Sequence, residues 1–321
     1  MQNEMRKTPC LYIVVPCYNE EAVLPITKKM FAAKLSGLIE DNLITPESRV
    51  LLMNDGSSDN TWSVICDIVK ENSLFVGASL SRNRGHQNVL LAGLMEAKDR
   101  CDITISIDAD GQDDINAMDE MVKAYLDGAE IVYGVRNKRT TDTWFKRFTA
   151  EGFYKLLNKL GAEVVFNHAD YRLLSSRVLR EFANFHEVNL FLRGLIPLVG
   201  FKSTSVYYER HERIAGESHY PLSKMLTLAF NGITSLSVKP IRLILSCGVF
   251  ITCLSILFAI CLLVKQILGD ALEWTIWLIP FVGFLAGLQF ISIGIIGEYI
   301  GKIYLETKAR PRFIINERVG L

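Results

Sequence analysis

The sequence predicts an α/β fold whose sheet is mostly parallel. Short apolar runs alternate with segments of helical spacing over residues 11–136, which is the pattern of strands joined by crossover helices. A polar cluster follows nearly every run. Because ligands of such sheets bind outside the carboxyl ends of the strands, we expect these clusters to meet at one edge and form a site.

Each strand is predicted from a short, β-branched, apolar run. The predicted strands are Leu11–Val15, Arg49–Met53, Phe75–Leu80, Ile103–Ile107 and Glu130–Tyr133. The predicted helices cover about 21–35, a segment capped by Ser58 or Asp59, 87–97, 115–127 and 144–160.

The fourth run ends in two acids, Asp108 and Asp110. In extended backbone their side chains point the same way, and two like charges stay together only beside a compensating cation. Oxygen ligands favour Mg²⁺ or Mn²⁺, which commonly bridge to phosphates of a substrate. For an isolated pair of this spacing, a strand followed by an Asp-rich helix start explains the pattern equally well.

Net charge and cysteine spacing limit the kinds of ligand and partner that the chain is expected to bind. The chain has 35 basic and 35 acidic residues, so its formal net charge is zero, and the basic residues are dispersed. Nothing therefore indicates a nucleic-acid partner. The seven cysteines lack C-x-x-C spacing, which argues against a zinc or disulfide framework.

Two uncharged stretches near the C-terminus predict membrane spans, Leu243–Val264 and Trp274–Gly297. A bilayer core of about 30 Å requires about 20 helical residues, and both stretches are long enough. Basic residues flank the pair on its outer sides, which predicts a cytosolic location for the α/β domain and both termini. The helical stripe at Leu222–Leu236 fits an interfacial helix or, equally, a helix packed on the sheet domain.

Four motifs appear in a recognisable order: V-V-P-C-Y-N-E, N-D-G-S-S-D-N-T, S-R-N-R-G-H-Q and D-A-D-G-Q-D. Together they resemble the inverting family 2 glycosyltransferases of GT-A fold. The D-Y-R-L run at Asp170 and the R-I-A-G-E-S-H-Y run at Arg213 are most similar to the polyisoprenyl-phosphate glycosyltransferases, the bactoprenol glucosyltransferase and dolichol-phosphate mannose synthase group.

The resemblance implies a division of the chain. Residues 1–215 would form a cytosolic GT-A domain, 216–240 an acceptor loop and interfacial amphipathic helix, 241–303 two transmembrane helices, and 304–321 a cytosolic tail. This places the protein in a bacterial inner membrane, in contact with membrane lipid. Whether it forms a homo-oligomer is left open.

The resemblance also implies site residues. The donor site would contain Pro16, Tyr18, Glu20, Asp55, Arg82 and Asp108. The metal, Mg²⁺ or Mn²⁺, would be held by Asp108, Asp110 and Gln112. The phosphate of the acceptor would be bound by Arg136, Arg210, Arg213 and Ser218. Asp170 and Arg172 would be the catalytic residues.

The implied reaction transfers a sugar from a nucleotide sugar to polyisoprenyl (undecaprenyl) phosphate with inversion, as a step toward a cell-envelope glycan. UDP-glucose is the expected donor, with UDP-N-acetylglucosamine, UDP-galactose and GDP-mannose as alternatives. A phosphate monoester has a second pKa near 6 and needs no strong base at neutral pH, so we expect Asp170 to orient Arg172 or the acceptor.

Other classes remain as alternatives. A processive polysaccharide synthase would carry a Q-x-x-R-W signature, which is absent. A dehydrogenase would need G-x-G-x-x-G after the first strand, where Pro16–Glu20 stands instead. A non-catalytic membrane scaffold or lipid-sugar translocation subunit would leave the Asp108 and Asp110 pair without a purpose.

Overall fold

The computed structural model of the protein describes residues 6–136, 168–187, 190–209 and 275–321. The strands are β1 Leu11–Cys17, β2 Arg49–Asn54, β3 Phe75–Leu80, β4 Ile103–Ser106, β5 Ile131–Arg136, β6 His168–Ser175, β7 Ser203–Tyr208 and β8 Ile315–Val319. The helices are α1 Leu24–Glu40, α2 Thr61–Glu71, α3 His86–Ala97, α4 Ala117–Leu126, α5 Ser176–Phe182, α6 Leu192–Leu195 and α7 Thr275–Thr307.

The eight strands form one mixed sheet in the order β7-β5-β6-β4-β1-β2-β3-β8. Strand β1 pairs in parallel with β2 and β4, β2 with β3, and β5 with β7. Strands β6 and β8 run antiparallel to their neighbours. The expected α/β, Rossmann-like and mostly parallel arrangement is thereby confirmed, and all five predicted strands are present.

Helices cover the sheet on both faces, which explains why its central strands are continuous apolar runs. On one face α1, α2 and α4 pack through residues such as Phe31, Ile65 and Met118. On the other face α3 and α5 pack through residues such as Leu90 and Phe182. The core is therefore split by the sheet into two layers, and the loops at the strand ends are left for a site.

Strand β6 was not predicted because its pattern is interrupted by charge. It lies between β4 and β5, pairing Ser106 with Arg172 and Ile131 with Leu174. This register brings Asp170 beside the end of β4, where the acid pair begins. The two-residue spacing of Asp170 and Arg172 reflects a strand in which both side chains point to the same face.

The C-terminal residues differ from the tail that the sequence predicts for 304–321. Strand β8 pairs antiparallel with β3 and forms the edge of the sheet. Glu317 accepts a hydrogen bond from Trp62 Nε1 at 2.9 Å, and Arg318 forms two hydrogen bonds with Glu96. Charged side chains are typical of edge strands, and they give this strand the sequence pattern of a solvated tail.

Several expectations lie outside the described residues: the helix at 144–160, the stripe Leu222–Leu236 and the span Leu243–Val264. The second expected span, Trp274–Gly297, overlaps α7. Across the part of the chain that is described, no helix has the length and apolar character needed to cross a membrane.

Candidate active site

The acid pair lies just beyond β4, as predicted. The carboxylate of Asp108 is 42% exposed, and Asp110 Oδ1 accepts a hydrogen bond from the Gln112 backbone N–H at 3.1 Å. Gly111, which lies between Asp110 and Gln112, has a φ of 68°, a left-handed value that glycine adopts without strain. The chain therefore turns sharply after the strand and keeps Asp110 and Gln112 close together.

The electrostatics of Asp108 favour a cation. Partial burial raises the pKa of its carboxyl group, and the nearby carboxylates of Asp113, Asp170 and Asp110 raise it further, while His86 opposes them. Among the described residues, no group of three His, Cys, Asp or Glu side chains could hold a metal by itself. Two carboxylates and an amide fit a Mg²⁺ or Mn²⁺ ion that takes its other ligands from substrate phosphates.

Asp170 has the opposite surroundings. Arg172 Nη2 forms an ion pair with Asp170 Oδ1, and Arg193 donates from Nε at 3.2 Å and from Nη2 at 3.0 Å. Gln87 Nε2 donates to Asp170 Oδ2 at 3.3 Å, and His86 Nε2 lies 3.4 Å from the same oxygen. Both carboxylate oxygens are therefore already engaged by donors.

These contacts set the charge of the site. Burial alone would raise the pKa of Asp170, but Arg193, His86 and Arg172 outweigh it and hold that pKa well below its usual range. Burial also disfavours the charged form of His86, yet Asp170 and Asp108 outweigh this effect and raise its pKa to about 9. Asp170 is thus a poor proton acceptor, and His86 is cationic at neutral pH.

His86 joins the two halves of the site. It begins α3, directly after Gly85, and its Nε2 lies 3.8 Å from Asp108 Oδ1 as well as 3.4 Å from Asp170 Oδ2. The carboxylates at the ends of β4 and β6 are therefore linked by one imidazole.

Arg172 is almost fully buried, and its Nε and Nη1 have no hydrogen-bond partner among the described residues. Among the described residues Asp170 supplies its ion pair, so this buried pair costs desolvation and is expected to serve geometry more than stability.

Arg136 stands at the end of β5 but is bound within the protein. It donates from Nη2 to Asp113 Oδ1 and from Nε to the hydroxyl oxygen of Tyr208, each at 3.1 Å. Tyr208 in turn donates to Asp113 at 2.7 Å. The Asp113 carboxylate thus pairs with the Arg136 guanidinium. In the strand order Arg136 lies on β5 and Tyr208 on β7, beyond β6, the strand that carries Asp170.

The expected donor residues lie at the ends of β1, β2 and β3. Pro16 is buried in β1, Tyr18 is 47% exposed, and Arg82 is exposed. The Glu20 backbone N–H donates to Thr61 Oγ1 at 2.8 Å. These positions form one edge of the sheet, as the sequence predicts.

Asp55 is buried and holds the loop after β3 in place at this edge of the sheet. Its two carboxylate oxygens accept from the backbone N–H groups of Arg84 and Gly85 at 2.7 and 2.9 Å. A Cβ on the neighbouring Gly56 would lie 2.4 Å from the Arg82 carbonyl carbon, so only glycine fits there. Asp55 thereby fixes the turn that leads to His86.

Of the predicted residues, the structure brings together Asp108, Asp110, Gln112, Asp170 and Arg172, while Arg210, Arg213 and Ser218 lie outside the described residues. The sequence analysis assigned no role to His86, Gln87, Arg193, Asp113 or Tyr208. His86 and Gln87 close the S-R-N-R-G-H-Q motif and Asp113 ends D-A-D-G-Q-D, which was a usable signal. Arg193 and Tyr208 belong to no motif.

An acid pair and a buried charged cluster with perturbed pKa values, gathered where the strands of an α/β sheet end, are typical of the active site of an enzyme. Residues 12–183, more than half of the chain, match the model of glycosyl transferase family 2, and the protein belongs to this family. It is a glycosyltransferase.

Curated relatives extend the match to nearly the whole chain. An uncharacterised glycosyltransferase, YkoT of Bacillus subtilis (strain 168), is 49% identical over 96% of this chain and 91% of its own. The bactoprenol glucosyl transferase of Shigella phage SfX is 37% identical over 95% and 98%. The prophage bactoprenol glucosyl transferase homolog of Escherichia coli (strain K12) is 37% identical over 94% and 97%.

Proposed function

We propose that this enzyme transfers glucose from UDP-glucose to a polyisoprenyl phosphate, most simply undecaprenyl phosphate, with inversion at the anomeric carbon. A phosphate oxygen of the acceptor forms the new bond to that carbon. The bond between the carbon and the diphosphate oxygen breaks, and UDP leaves. The product is a lipid-phosphate-sugar that can supply a cell-envelope glycan.

The observation that carries this proposal is the division of charge within the site. Asp108 stands near the carboxylates of Asp110 and Asp113, whereas Asp170 is surrounded by the cationic side chains of Arg172, Arg193 and His86. One half suits a diphosphate donor bound through a metal, and the other half suits an anionic acceptor. The names of the 37% identical relatives, bactoprenol glucosyl transferases, agree with a lipid phosphate and glucose.

Asp108, Asp110 and Gln112 would hold Mg²⁺ or Mn²⁺, which supplies positive charge for the leaving diphosphate. The raised pKa of Asp108 supports this role, since a nearby cation would favour the ionised carboxylate.

Asp170 would position the cationic side chains around it. A phosphate monoester is mostly a dianion at neutral pH and has no proton to lose before it attacks. The depressed pKa of Asp170 agrees with this chemistry, because a carboxylate that stays ionised next to two arginines is a poor base.

We also propose that the catalytic domain lies at the cytosolic face of a bacterial inner membrane, anchored by residues 241–303. The uncharged stretches Leu243–Val264 and Trp274–Gly297 support this location. Strand β7 ends at Tyr208 and strand β8 begins at Ile315, and both belong to the same sheet. This supports an even number of membrane crossings by the chain between them. The segment between them therefore leaves and returns on the same side.

The reaction can be tested with membranes that contain the full chain. Labelled UDP-glucose, UDP-N-acetylglucosamine, UDP-galactose and GDP-mannose are offered separately with undecaprenyl phosphate, and label is measured in the organic extract. We expect label from UDP-glucose only, lost in EDTA, and reduced by at least about 100-fold in Asp110→Ala, the scale of losing one electrostatic contact to a transition state.

Asp114→Asn is the matched control, since Asp114 lies four residues further along and its carboxylate accepts from the Asn116 backbone N–H. It should retain nearly normal transfer. Label from another sugar would correct the donor. No transfer from any donor to the lipid phosphate would refute the proposed acceptor.

A further inference from the structure

The loops that follow β1 and β2 are joined by hydrogen bonds at the edge where the expected donor residues lie. The Asn19 backbone N–H donates to Ser57 Oγ at 3.0 Å, and Asn19 Oδ1 accepts from the Ser58 backbone N–H at 3.0 Å and from its hydroxyl at 3.3 Å. Further along, the Asn60 backbone N–H donates to Glu21 Oε2 at 3.0 Å. The two loops therefore form one unit, and Asn19 supplies both a donor and an acceptor to it.

Asn19 has a left-handed backbone conformation. Its φ is 55°, a value that most residues avoid because Cβ then approaches a carbonyl oxygen, and that asparagine tolerates better than most. Such a conformation costs free energy and persists only where surrounding contacts hold it. In this loop the hydrogen bonds with Ser57 and Ser58 hold it. Because strained residues of this kind cluster at binding and catalytic sites, the turn at Asn19 is a candidate for a functional role.

The turn determines where Tyr18 is placed. Strand β1 ends at Cys17, which is buried and whose carbonyl oxygen accepts from the Asp55 backbone N–H at 2.9 Å. The left-handed turn at Asn19 follows two residues later. Tyr18 lies between these two fixed points and is 47% exposed, although burial of an aromatic ring is usually favourable. The ring is thus held at the edge of the sheet with constrained backbone on both sides.

We propose that Asn19 is a positioning residue for the sugar donor, because its left-handed turn holds the ring of Tyr18 where the ring stacks on the base of the nucleotide. The inference rests on the proposed function and adds to it a residue to which the sequence analysis assigned no role. An aromatic ring on a rigid turn loses little freedom when it binds a planar base, and such preorganisation raises affinity. The effect should therefore fall on donor affinity and not on the acceptor.

The test uses the full chain in detergent with Mg²⁺, and calorimetry measures the binding of UDP-glucose and of UDP. Asn19→Ala removes the acceptor oxygen and makes the turn unfavourable, so we expect affinity for both nucleotides to fall about 10-fold. An equal loss for UDP, which lacks the sugar, places the effect on the nucleotide. Asn19→Gly adopts the turn without strain but lacks the side-chain hydrogen bonds, so a loss of about 3-fold is expected. The KM for undecaprenyl phosphate should not change in either variant.

A double-mutant cycle tests whether Asn19 acts through Tyr18. Tyr18→Ala alone should weaken UDP-glucose binding about 10-fold, because it removes the ring on which the base stacks. In the Tyr18→Ala background, Asn19→Ala should cause no further loss, since the two substitutions remove the same interaction. Losses that simply add would show that Asn19 supports the loop without positioning Tyr18, and they would overturn the proposal.

Asn42→Ala is the matched control. Asn42 is the same residue type with the same φ of 55°, and it lies between α1 and β2, at the opposite edge of the sheet. Its side chain donates to the Glu40 carbonyl oxygen at 3.4 Å. The substitution creates the same backbone strain away from the site, so the melting temperature should fall by a similar amount while nucleotide affinity equals that of the wild type. Wild-type affinity in Asn19→Ala would refute the proposal.

Two further outcomes are separable. If Asn19→Ala does not fold, Asn19→Gly decides: a loss of donor affinity that disappears in the Tyr18→Ala background supports the proposal, and wild-type affinity refutes it. If the wild type binds no nucleotide sugar, the proposed function fails and this inference fails with it. If the wild type binds UDP-glucose and transfers glucose, and the Asn19 variants bind equally well, only this inference fails.

Discussion

Asp108 and Asp170 face the same imidazole, yet their pKa values move in opposite directions. His86 Nε2 lies 3.8 Å from one carboxylate and 3.4 Å from the other. Asp108 stands among further carboxylates, and its pKa is raised, whereas Asp170 stands among arginines, and its pKa is depressed. Proximity in the fold therefore does not give two acids the same role, and their other neighbours decide which one can accept a cation.

Of the three substitutions, the one that removes the charge of Asp170 should have the largest effect on folding stability and on kcat. In Asp170→Asn the buried Arg172 loses its counter-charge, and breaking such a pair costs about 3 kcal/mol or more of folding stability. Misplaced arginines should lower kcat by about 100-fold. Because the Asp170 carboxylate stays ionised over the working range, the wild-type kcat should show no acidic limb from its titration between pH 6 and 9.

Thermal unfolding and kcat against pH measure these effects. Glu96→Gln is the comparison variant, since it removes a partly exposed surface pair with Arg318 that is worth about 1 kcal/mol. The positioning role would be contradicted if Asp170→Asn removed an acidic limb of the kcat profile, which would identify Asp170 as a titrating base.

His86, which lies between Asp108 and Asp170, allows a sharper test through the pH dependence of stability. The pKa of His86 is about 9 in the folded protein against an ordinary 6.5, so the folded state binds its proton more tightly. Its contribution to stability is complete below pH 6.5 and disappears as the pH rises through about 9. In EDTA, the melting temperature of the wild type should therefore exceed that of His86→Gln most at pH 6.5.

That difference should shrink steadily toward pH 9.5. Asn88→Ala, which alters the same helix without removing a titratable group, should show no comparable trend. A gap between wild type and His86→Gln that stays constant or widens with pH would show that the two carboxylates do not hold a proton on His86.

The smallest effect is expected at Gln87, which connects Asp170 to α6. Gln87→Ala loses one hydrogen bond to the carboxylate and one from the Leu192 backbone, a cost of about 1–2 kcal/mol. Because α6 carries Arg193, the kcat/KM for the acceptor should fall several-fold as well.

Asn88→Ala separates stability from positioning. Asn88 is the next residue in α3 and donates one hydrogen bond to the Arg84 carbonyl oxygen at 2.8 Å, without contacting Asp170. Its melting temperature should fall by a similar amount while its acceptor kinetics stay normal. If both variants changed the kinetics equally, Gln87 would have no specific role in positioning.

The strands of the first half were predictable because each is buried on both faces. Leu11–Val15 consists of apolar residues that a buried strand prefers, and the structure extends it by only two residues. The acid pair was predictable for the same reason, since it interrupts such a run abruptly. Local sequence was sufficient where burial alone determined the element.

The remaining strands and half of the site were not predictable from local patterns. Strand β6 places Asp170 and Arg172 inside the sheet, where the two charges compensate each other across the fold and break the apolar pattern. Arg193 can be assigned to the site only through its ion pair with Asp170, which is distant in sequence. Charge compensation between separate elements has no periodicity, so a single sequence does not reveal it.

The edge strand β8 changes how the C-terminal half should be removed in experiments. Cutting the chain before residue 241 would take away Ile315–Val319 and leave one side of the β3 backbone unpaired, so such a fragment would report a damaged sheet as well as a missing anchor. In topological terms, residues 209–314 are an insertion into a domain whose own chain resumes afterwards. A soluble enzyme is better sought by replacing that insertion with a flexible linker, so that β8 remains attached.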